Sequence, residues 1–237
     1  GAPELRTCNQ YALMPPLKGT ATDASSHWLV LTDETLYEVN GAQEQLLQHS
    51  VYQTFNTPDD ALRHGRRQQQ AITLNGLTTR TDYSYQTLIS TFAGETVLQT
   101  VETLTGHDHG VDGKHTQKVV TLEHSLLHGE PLLTRDDNDV EIRYTYDKLL
   151  RVTRETVAPG TRYVASRSYR YGLTHADGQQ AWQEATDVKD VKTLTLFDGL
   201  NRVVKEQRQD KDHQIGPRAE KFRDAYSARY NALGQLE

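Results

Sequence analysis

Hydrophobic and polar positions alternate along most of this chain with a period of two. Leu36-Tyr37-Glu38-Val39 runs into Asn40-Gly41, Ile72-Thr73-Leu74 runs into Asn75-Gly76, and Thr78 to Tyr85 leaves that turn rich in β-branched and aromatic residues. Such alternation marks half-buried strands. Asp112-Gly113 and Asp177-Gly178 add two more dipeptides suited to the positive φ angles of a type I′ hairpin turn. Further strands are predicted at Lys118 to Leu122, Val140 to Tyr146, Val152 to Val157, Arg162 to Tyr171, Leu194 to Phe197 and Val203 to Gln207. A short helical turn is expected only at Pro58 to Arg67, with Asp59 or Asp60 serving its first amides. Pro15-Pro16 predicts residues 1–25 as an extended arm ahead of the sheet, leaving 26–237 as the β-hairpin region. The fold class is all-β, an array of antiparallel β-hairpins.

Two stretches fifty-one residues apart are versions of one another, Asp136 to Glu155 and Asp187 to Glu206. Their common core sets Tyr146-Asp147-Lys148-Leu149-Leu150-Arg151-Val152 against Phe197-Asp198-Gly199-Leu200-Asn201-Arg202-Val203. A worn third copy stands at Tyr230-Asn231-Ala232-Leu233-Gly234-Gln235-Leu236. With their flanks the copies span 136–157, 187–208 and 220–237. Self-similarity of this kind predicts a stacked array whose units bury apolar surface on their neighbours.

Each position of the repeat has a chemical part. The aromatic residue ends a strand and supplies apolar area worth about 1.5–3 kcal/mol when buried. Asp147, Asp198 or Asn231 accepts backbone amides two residues on and starts a turn. At the fifth position Asn201 and Gly234 suit a left-handed residue and Leu150 does not, so the first turn either has another geometry or is strained. Arg151 and Arg202 are expected to pair with a carboxylate across the ladder, the motif Asp of a neighbouring unit being one choice. Val152 and Val203 resume the alternation. Asp136 with Asp139, and Asp187 with Asp190, recur at one distance ahead of the aromatic residue, so the unit reads turn, strand, turn, strand.

Aromatic-Asp-x-x-Gly-Arg followed by an apolar residue resembles the YD repeat of RHS proteins. Phe197 to Val203 matches it best, Tyr146 to Val152 departs at Leu150, and Tyr230 to Leu236 departs at Asn231 and Gln235. The resemblance is explicit over Asp136 to Glu237 and extends to earlier residues only in hairpin spacing. It implies a continuous hairpin sheet, curved or spiral, that forms a hollow shell, as in bacterial toxin-complex B and C components, polymorphic RHS toxins and the related teneurins. In the bacterial members the shell encloses a C-terminal toxic domain until delivery. The resemblance therefore implies a protein secreted or delivered by a bacterial secretion system, with the remaining shell and the toxic domain of a longer parent as partners. This sequence holds neither a toxic domain nor the family's Asp-Pro-containing cleavage motif, and it ends inside its third copy. The expectation is a piece of wall rather than cargo, with dimerisation through open sheet edges.

Composition narrows the alternatives. Among 237 residues, 35% hydrophobic content permits a core, and a formal charge of −6 argues against polyanion binding. Arg63-His64-Gly65-Arg66-Arg67 is the one tight basic cluster and reads as a solvated loop. Cys8 is the single cysteine, so no intrachain disulfide forms. No segment approaches the run of roughly 18–20 apolar residues that a membrane helix needs, and Gly1 to Arg6 lacks the basic and apolar regions of a signal peptide.

Candidate chemistry is sparse. His107-Asp108-His109 with Asp112 and His115 is the densest set of metal-ligand types, yet its glycines and Asp-Gly turn read as an exposed hairpin tip. Asp136 to Asp139 lacks the Gly and Glu of a calcium loop. Neither a Gly-x-Ser-x-Gly elbow nor a phosphate-binding loop occurs, and Cys8 has no activating context. No catalytic, cofactor-binding or metal residue is assigned, and the reading is not an enzyme. Trp28 and Trp182, with Tyr169 and Tyr171, carry the alternative: a carbohydrate-binding or cell-surface adhesion module that stacks rings on sugars.

Overall fold

Strands form where the alternation stands, and turns where Gly, Asn, Asp and Ser interrupt it. The computed structural model describes residues 4–19, 26–109, 113–174, 180–212 and 221–237, and every regular element among them is a strand. The chain divides into two units, Gly1–Asp139 and Val140–Glu237. The first holds β1 (Glu4–Met14), β2 (Trp28–Asn40), β3 (Gln43–Thr54), β4 (Arg67–Leu74), β5 (Leu77–Ile89), β6 (Thr96–His109), β7 (His115–Ser125) and β8 (Pro131–Arg135). The second holds β9 (Glu141–Tyr146), β10 (Val152–Val157), β11 (Ala165–Leu173), β12 (Ala181–Thr186), β13 (Lys192–Phe197), β14 (Val203–Gln209) and β15 (Phe222–Ser227). Within each unit every strand pairs antiparallel with the next, so strand order is chain order. The protein is all-β, an array of antiparallel hairpins.

Two local expectations need correction. Residues 4–14 are extended, but they are the first strand of the sheet and not an arm ahead of it, paired with β2 from Glu4↔Val39 to Met14↔Trp28. Pro15-Pro16 ends that strand because proline has no amide to give a ladder. Pro58 to Arg67 forms the single helical turn expected of it, with Asp60 serving the first amides: the Asp60 carbonyl accepts from His64 at 2.8 Å, and its Oδ1 accepts from Leu62 and Arg63 at 3.0 and 3.1 Å. Gly65 at φ +80° then leaves the helical region. Asn75-Gly76 is a two-residue turn with both φ positive, 50° and 78°, as type I′ requires. At the other dipeptide Asn40 pairs with Gln43, which puts Gly41 and Ala42 at the turn centre and leaves Asn40 on the ladder. Asp112 and Asp177-Gly178 lie outside the described residues.

Little of the sheet is covered. Among the described residues, the buried apolar ones of the first unit are Met14, Val97, Leu132 and Leu133, and that of the second is Ala228. Every residue of β12 and β13 is half-buried, so the usual contrast between a dry and a wet face is missing. Side chains there shield one another along each face, and within the second unit the described strands meet only their chain neighbours. Stability must come from ladders, turns and cross-strand pairs more than from a core.

Several of the buried residues lie at two turns of the first unit that share the pattern Ser-x-x-x-Gly-Glu, Ser90-Thr91-Phe92-Ala93-Gly94-Glu95 and Ser125-Leu126-Leu127-His128-Gly129-Glu130. In both, the serine amide donates to the glutamate carbonyl, at 2.9 and 3.0 Å, and the glycine amide returns to the serine carbonyl at 2.9 Å. The serine Oγ accepts amides inside the loop, and Gly94 and Gly129 adopt φ of 70° and 82°. Ser90, Ser125 and Glu123 are buried beside Val97. Ser90 Oγ donates to Glu123 Oε2 at 2.7 Å, Gln99 Nε2 donates to Glu123 Oε1 at 3.2 Å, and Gln86 Nε2 donates to Gln99 Oε1 at 2.6 Å.

Candidate functional site

The repeated motif builds one turn three times, and its atoms superimpose in role. The Asp147 amide donates to the Arg151 carbonyl at 3.0 Å and the Leu150 amide donates to the Asp147 carbonyl at 3.0 Å. Asp147 Oδ1 accepts the amides of Leu149 and Arg151 at 2.8 and 3.0 Å, while Oδ2 accepts Arg151 Nε at 2.8 Å and lies 2.7 Å from its Nη2. Asp198 repeats this with Leu200 and Arg202: both amides at 2.9 Å, Nε at 2.8 Å and Nη2 at 2.7 Å. The motif Arg therefore pairs with the Asp of its own turn, which corrects the expected pairing across the ladder. Once Oδ1 has captured two amides, Oδ2 points along the turn to the side chain four residues on, and a bidentate guanidinium fits there.

The fifth position is left-handed in every copy, with φ of 59° at Leu150, 61° at Asn201 and 78° at Gly234. Of the two alternatives for Leu150, strain is the outcome, since the first turn keeps the geometry of the others. A non-glycine, non-Asn residue held there costs about 1–2 kcal/mol. Leu150→Asn is therefore expected to raise stability by about 1 kcal/mol, and Asn201→Leu to lower it by a similar amount. Opposite shifts in the urea midpoints of the two variants are the check; equal signs contradict the account.

The third copy holds the same turn without charge. Asn231 Oδ1 accepts the amides of Leu233 and Gln235 at 3.0 and 2.9 Å, and Asn231 Nδ2 donates to Gln235 Oε1 at 3.1 Å. An amide pair thus replaces the ion pair. The Asp187 turn keeps the backbone half alone: its Oδ1 accepts Lys189 and Val191 amides at 2.8 and 2.9 Å, with Asp190 at φ 57°. Asp136 follows suit, accepting the Asn138 amide at 2.9 Å with Asp139 at φ 57°, so these carboxylates serve turns.

Hydrogen bonds from Arg151 and from backbone amides hold the Asp147 carboxyl below the ordinary aspartate value, and Arg202 does the same for Asp198. For Asp187 the amides of Val191 and Lys189 are the main cause, and for Asp224 the side chains of Gln207 and Lys205. Depressed values mean that the native state binds protons less readily than the unfolded chain. This stabilisation is complete above about pH 4 to 5 and is lost as pH falls through the folded values. A urea midpoint that declines below about pH 4 is expected, with a shallower decline in Asp147→Asn/Asp198→Asn. Identical acid limbs in the two proteins count against the assignment.

A tyrosine further along the chain locks two of these turns, Tyr171 from β11 and Tyr230 from just beyond β15. Tyr171 lies under the Arg151 guanidinium, 4.4 Å from centroid to Cζ, and its hydroxyl donates to the Val152 carbonyl at 2.8 Å. Tyr230 does this for Arg202 at 4.2 Å and for the Val203 carbonyl at 3.0 Å. The lock of the second turn is thus the motif aromatic of the third. A fourth instance in the first unit escaped sequence reading. The Phe55 amide donates to the Arg66 carbonyl and the Gly65 amide to the Phe55 carbonyl, both at 2.9 Å, with Tyr85 donating to the Arg67 carbonyl at 2.8 Å under Arg66. Its loop is longer and Phe55 replaces Asp, which hides the motif; Gly65-Arg66 followed by Tyr85 was the surviving signal. Burial raises the phenols of Tyr85 and Tyr171, which keeps both as hydroxyl donors.

The remaining motif residues divide by exposure. Tyr146, Phe197 and Tyr230 are half-buried where the strands end, and Val152 and Val203 pair with Tyr146 and Phe197 across the turn. Leu149, Leu200 and Leu233 stand exposed at the turn tips. Both oxygens of Asp147 and of Asp198 are engaged, so these turns fasten the sheet and offer no free base or ligand.

The two tryptophans hold local structure. Trp28 meets His64 edge-on, ring centroids 5.5 Å apart, and lies against Gly65, where a Cβ would stand 3.3 Å from its Cζ2. His64 donates from Nε2 to the Pro15 carbonyl at 2.8 Å and accepts the Thr57 amide on Nδ1 at 3.1 Å. In the second unit Trp182 lies over Gly172, its partner across β11 and β12. Together with Leu173, Thr174, Glu184, Leu194 and Leu196 it lines a shallow hollow of about 360 Å³. Cys8 is exposed, and among the described residues no three His, Cys, Asp or Glu side chains converge on a point.

These features define an all-β hairpin-repeat protein whose three motif turns are closed by Asp-Arg or Asn-Gln pairs. No protein-family model matches the chain, and a search of curated proteins found no match.

Proposed function

We propose that this chain is a structural shell segment of an RHS/YD-repeat toxin protein, a wall that encapsulates and helps deliver a C-terminal toxic domain carried by a longer parent chain. The observation that carries the reading is the pairing of self-fastened turns with a sheet that buries almost no core. A domain that keeps its own interior spends its sequence on apolar packing, whereas Val140–Glu237 buries one apolar residue, Ala228, among those described. Turns that close on themselves hold strands in register with solvent or cargo on both faces. The parent would be secreted or delivered by a bacterial secretion system, with the rest of the shell and the toxic domain as partners. Protease protection of the toxic domain in the parent is the test: resistance is expected until the wall is cut. A cryo-microscopy map showing these strands in a closed sandwich with no internal cavity would sink the reading.

A second reading is a glycan-binding adhesion module, favoured by the apolar hollow around Trp182. A glycan array separates the two. Saturable binding abolished by Trp182→Ala and untouched by Trp28→Ala supports adhesion, and a pure wall shows none.

In isolation the chain presents an open sheet edge at β1. Ten of the eleven residues of β1 are exposed, Thr7 to Met14 carry no charge and no proline, and the one described strand paired with it is β2. Unguarded edges recruit strands from other molecules. The isolated chain is expected to dimerise through β1, and Asn9→Lys to shift it toward monomer. Light scattering that finds a strict monomer at high concentration contradicts this.

A further inference from the structure

The β6–β7 hairpin presents two imidazoles that the fastening of the sheet does not use. Strand register runs regularly to Thr105↔Gln117, breaks, and resumes at His109↔His115, which leaves Gly106-His107-Asp108 as a bulge. Bulges re-aim the side chains that follow them. This one is pinned: Thr116 Oγ1 donates to Asp108 Oδ2 at 3.0 Å, and the Asp108 carboxylate folds back over Gly106, where any Cβ would overlap Oδ1. The result sets His109 directly opposite His115, with ring centroids 4.1 Å apart and planes inclined by 35°. Neither ring has a hydrogen-bond partner among the described residues.

We propose that His109 and His115 chelate a late first-row divalent cation, Zn²⁺, Ni²⁺ or Cu²⁺, with water completing its coordination. Metal–nitrogen bonds of about 2.0–2.1 Å place two adjacent nitrogen ligands roughly 3 Å apart. Rings whose centroids already lie 4.1 Å apart reach that separation by small rotations about χ2. Imidazole selects these ions over Mg²⁺ and Ca²⁺, which prefer oxygen donors. Of the wider set of ligand types in this stretch, Asp108 is occupied by Thr116, His107 falls within the bulge, and Asp112 lies outside the described residues. The chelate clamps two strands at their open end and stabilises the folded chain in proportion to the logarithm of free metal. It stands independently of the wall reading.

Calorimetric titration of tag-free protein with Zn²⁺ and Ni²⁺ tests the site. One equivalent is expected to bind, weakened roughly tenfold or more in His109→Ala and in His115→Ala, and unchanged in His124→Ala on the same strand pair. Electron paramagnetic resonance of the Cu²⁺-loaded chain should show two imidazole nitrogens in the wild type and one in either variant. No binding by wild-type protein, equal affinity in the two alanine variants and the wild type, or a single nitrogen in the wild-type spectrum overturns the proposal. Circular dichroism on the exposed-site variants confirms that lost binding is not lost folding.

Discussion

Glu123→Ala is expected to lower stability by about 2–4 kcal/mol, the larger of the two strongest effects foreseen. Glu123 is buried and accepts from Ser90 Oγ and Gln99 Nε2, and Ser90 is itself buried with its hydroxyl directed there. Removing the carboxylate leaves a hydroxyl and an amide without acceptors and a cavity next to Val97's strand. Buried donors without acceptors cost about 1–3 kcal/mol each. Glu123→Gln retains one acceptor but turns an NH₂ toward the other donor, so its loss should be intermediate. Chemical unfolding of the three proteins gives the order wild type, Gln, Ala. A Gln variant as stable as wild type would show that one donor had no real dependence on the carboxylate.

Gly172→Val carries the second effect, and here two physical arguments give opposite signs. Strand propensity favours valine over glycine by up to about 1 kcal/mol. Against that, a Cβ at Gly172 overlaps Cε2, Cζ2 and Nε1 of Trp182, which covers this position from the neighbouring strand. Moving a half-buried indole off its site costs about 1–3 kcal/mol of overpacking, so net destabilisation is expected. In the background of Trp182→Ala the sign should reverse, because the clash is gone and propensity alone remains. Destabilisation of equal size in both backgrounds contradicts the role given to the indole.

What was legible in the sequence was local. β10 begins and ends where alternation predicts it, at Val152 and Val157, and the left-handed fifth position was readable from Asn201 and Gly234 because the steric rule concerns a single residue. Pairing was less legible. β1 looked like an arm because its partner β2 lies across a prolyl segment, and nothing in eleven residues announces a partner beyond them. The Asp-Arg pairs were seen as residues but assigned to the wrong partners. In a strand, a side chain four positions on shares the face but lies roughly 13 Å further along it; in a turn whose fifth residue is left-handed, it comes back beside the carboxylate. The Phe55–Arg66 turn was hidden for a related reason, since its fastening lies in backbone bonds and in Tyr85, and a motif defined by Asp cannot register it. The paired serine turns at Ser90 and Ser125 were readable in principle, as Ser-x-x-x-Gly-Glu occurs twice.

Each strand's dependence on its immediate chain neighbours has a mechanical consequence. Because strand order within a unit is chain order, a pull on either end peels strands off one at a time, and each detachment breaks one ladder and at most one tyrosine lock. Resistance along such a path rises and falls like a row of stitches, with the highest steps where Tyr171 and Tyr230 release their arginines. A sheet built this way can be unravelled from one end without first being melted as a whole.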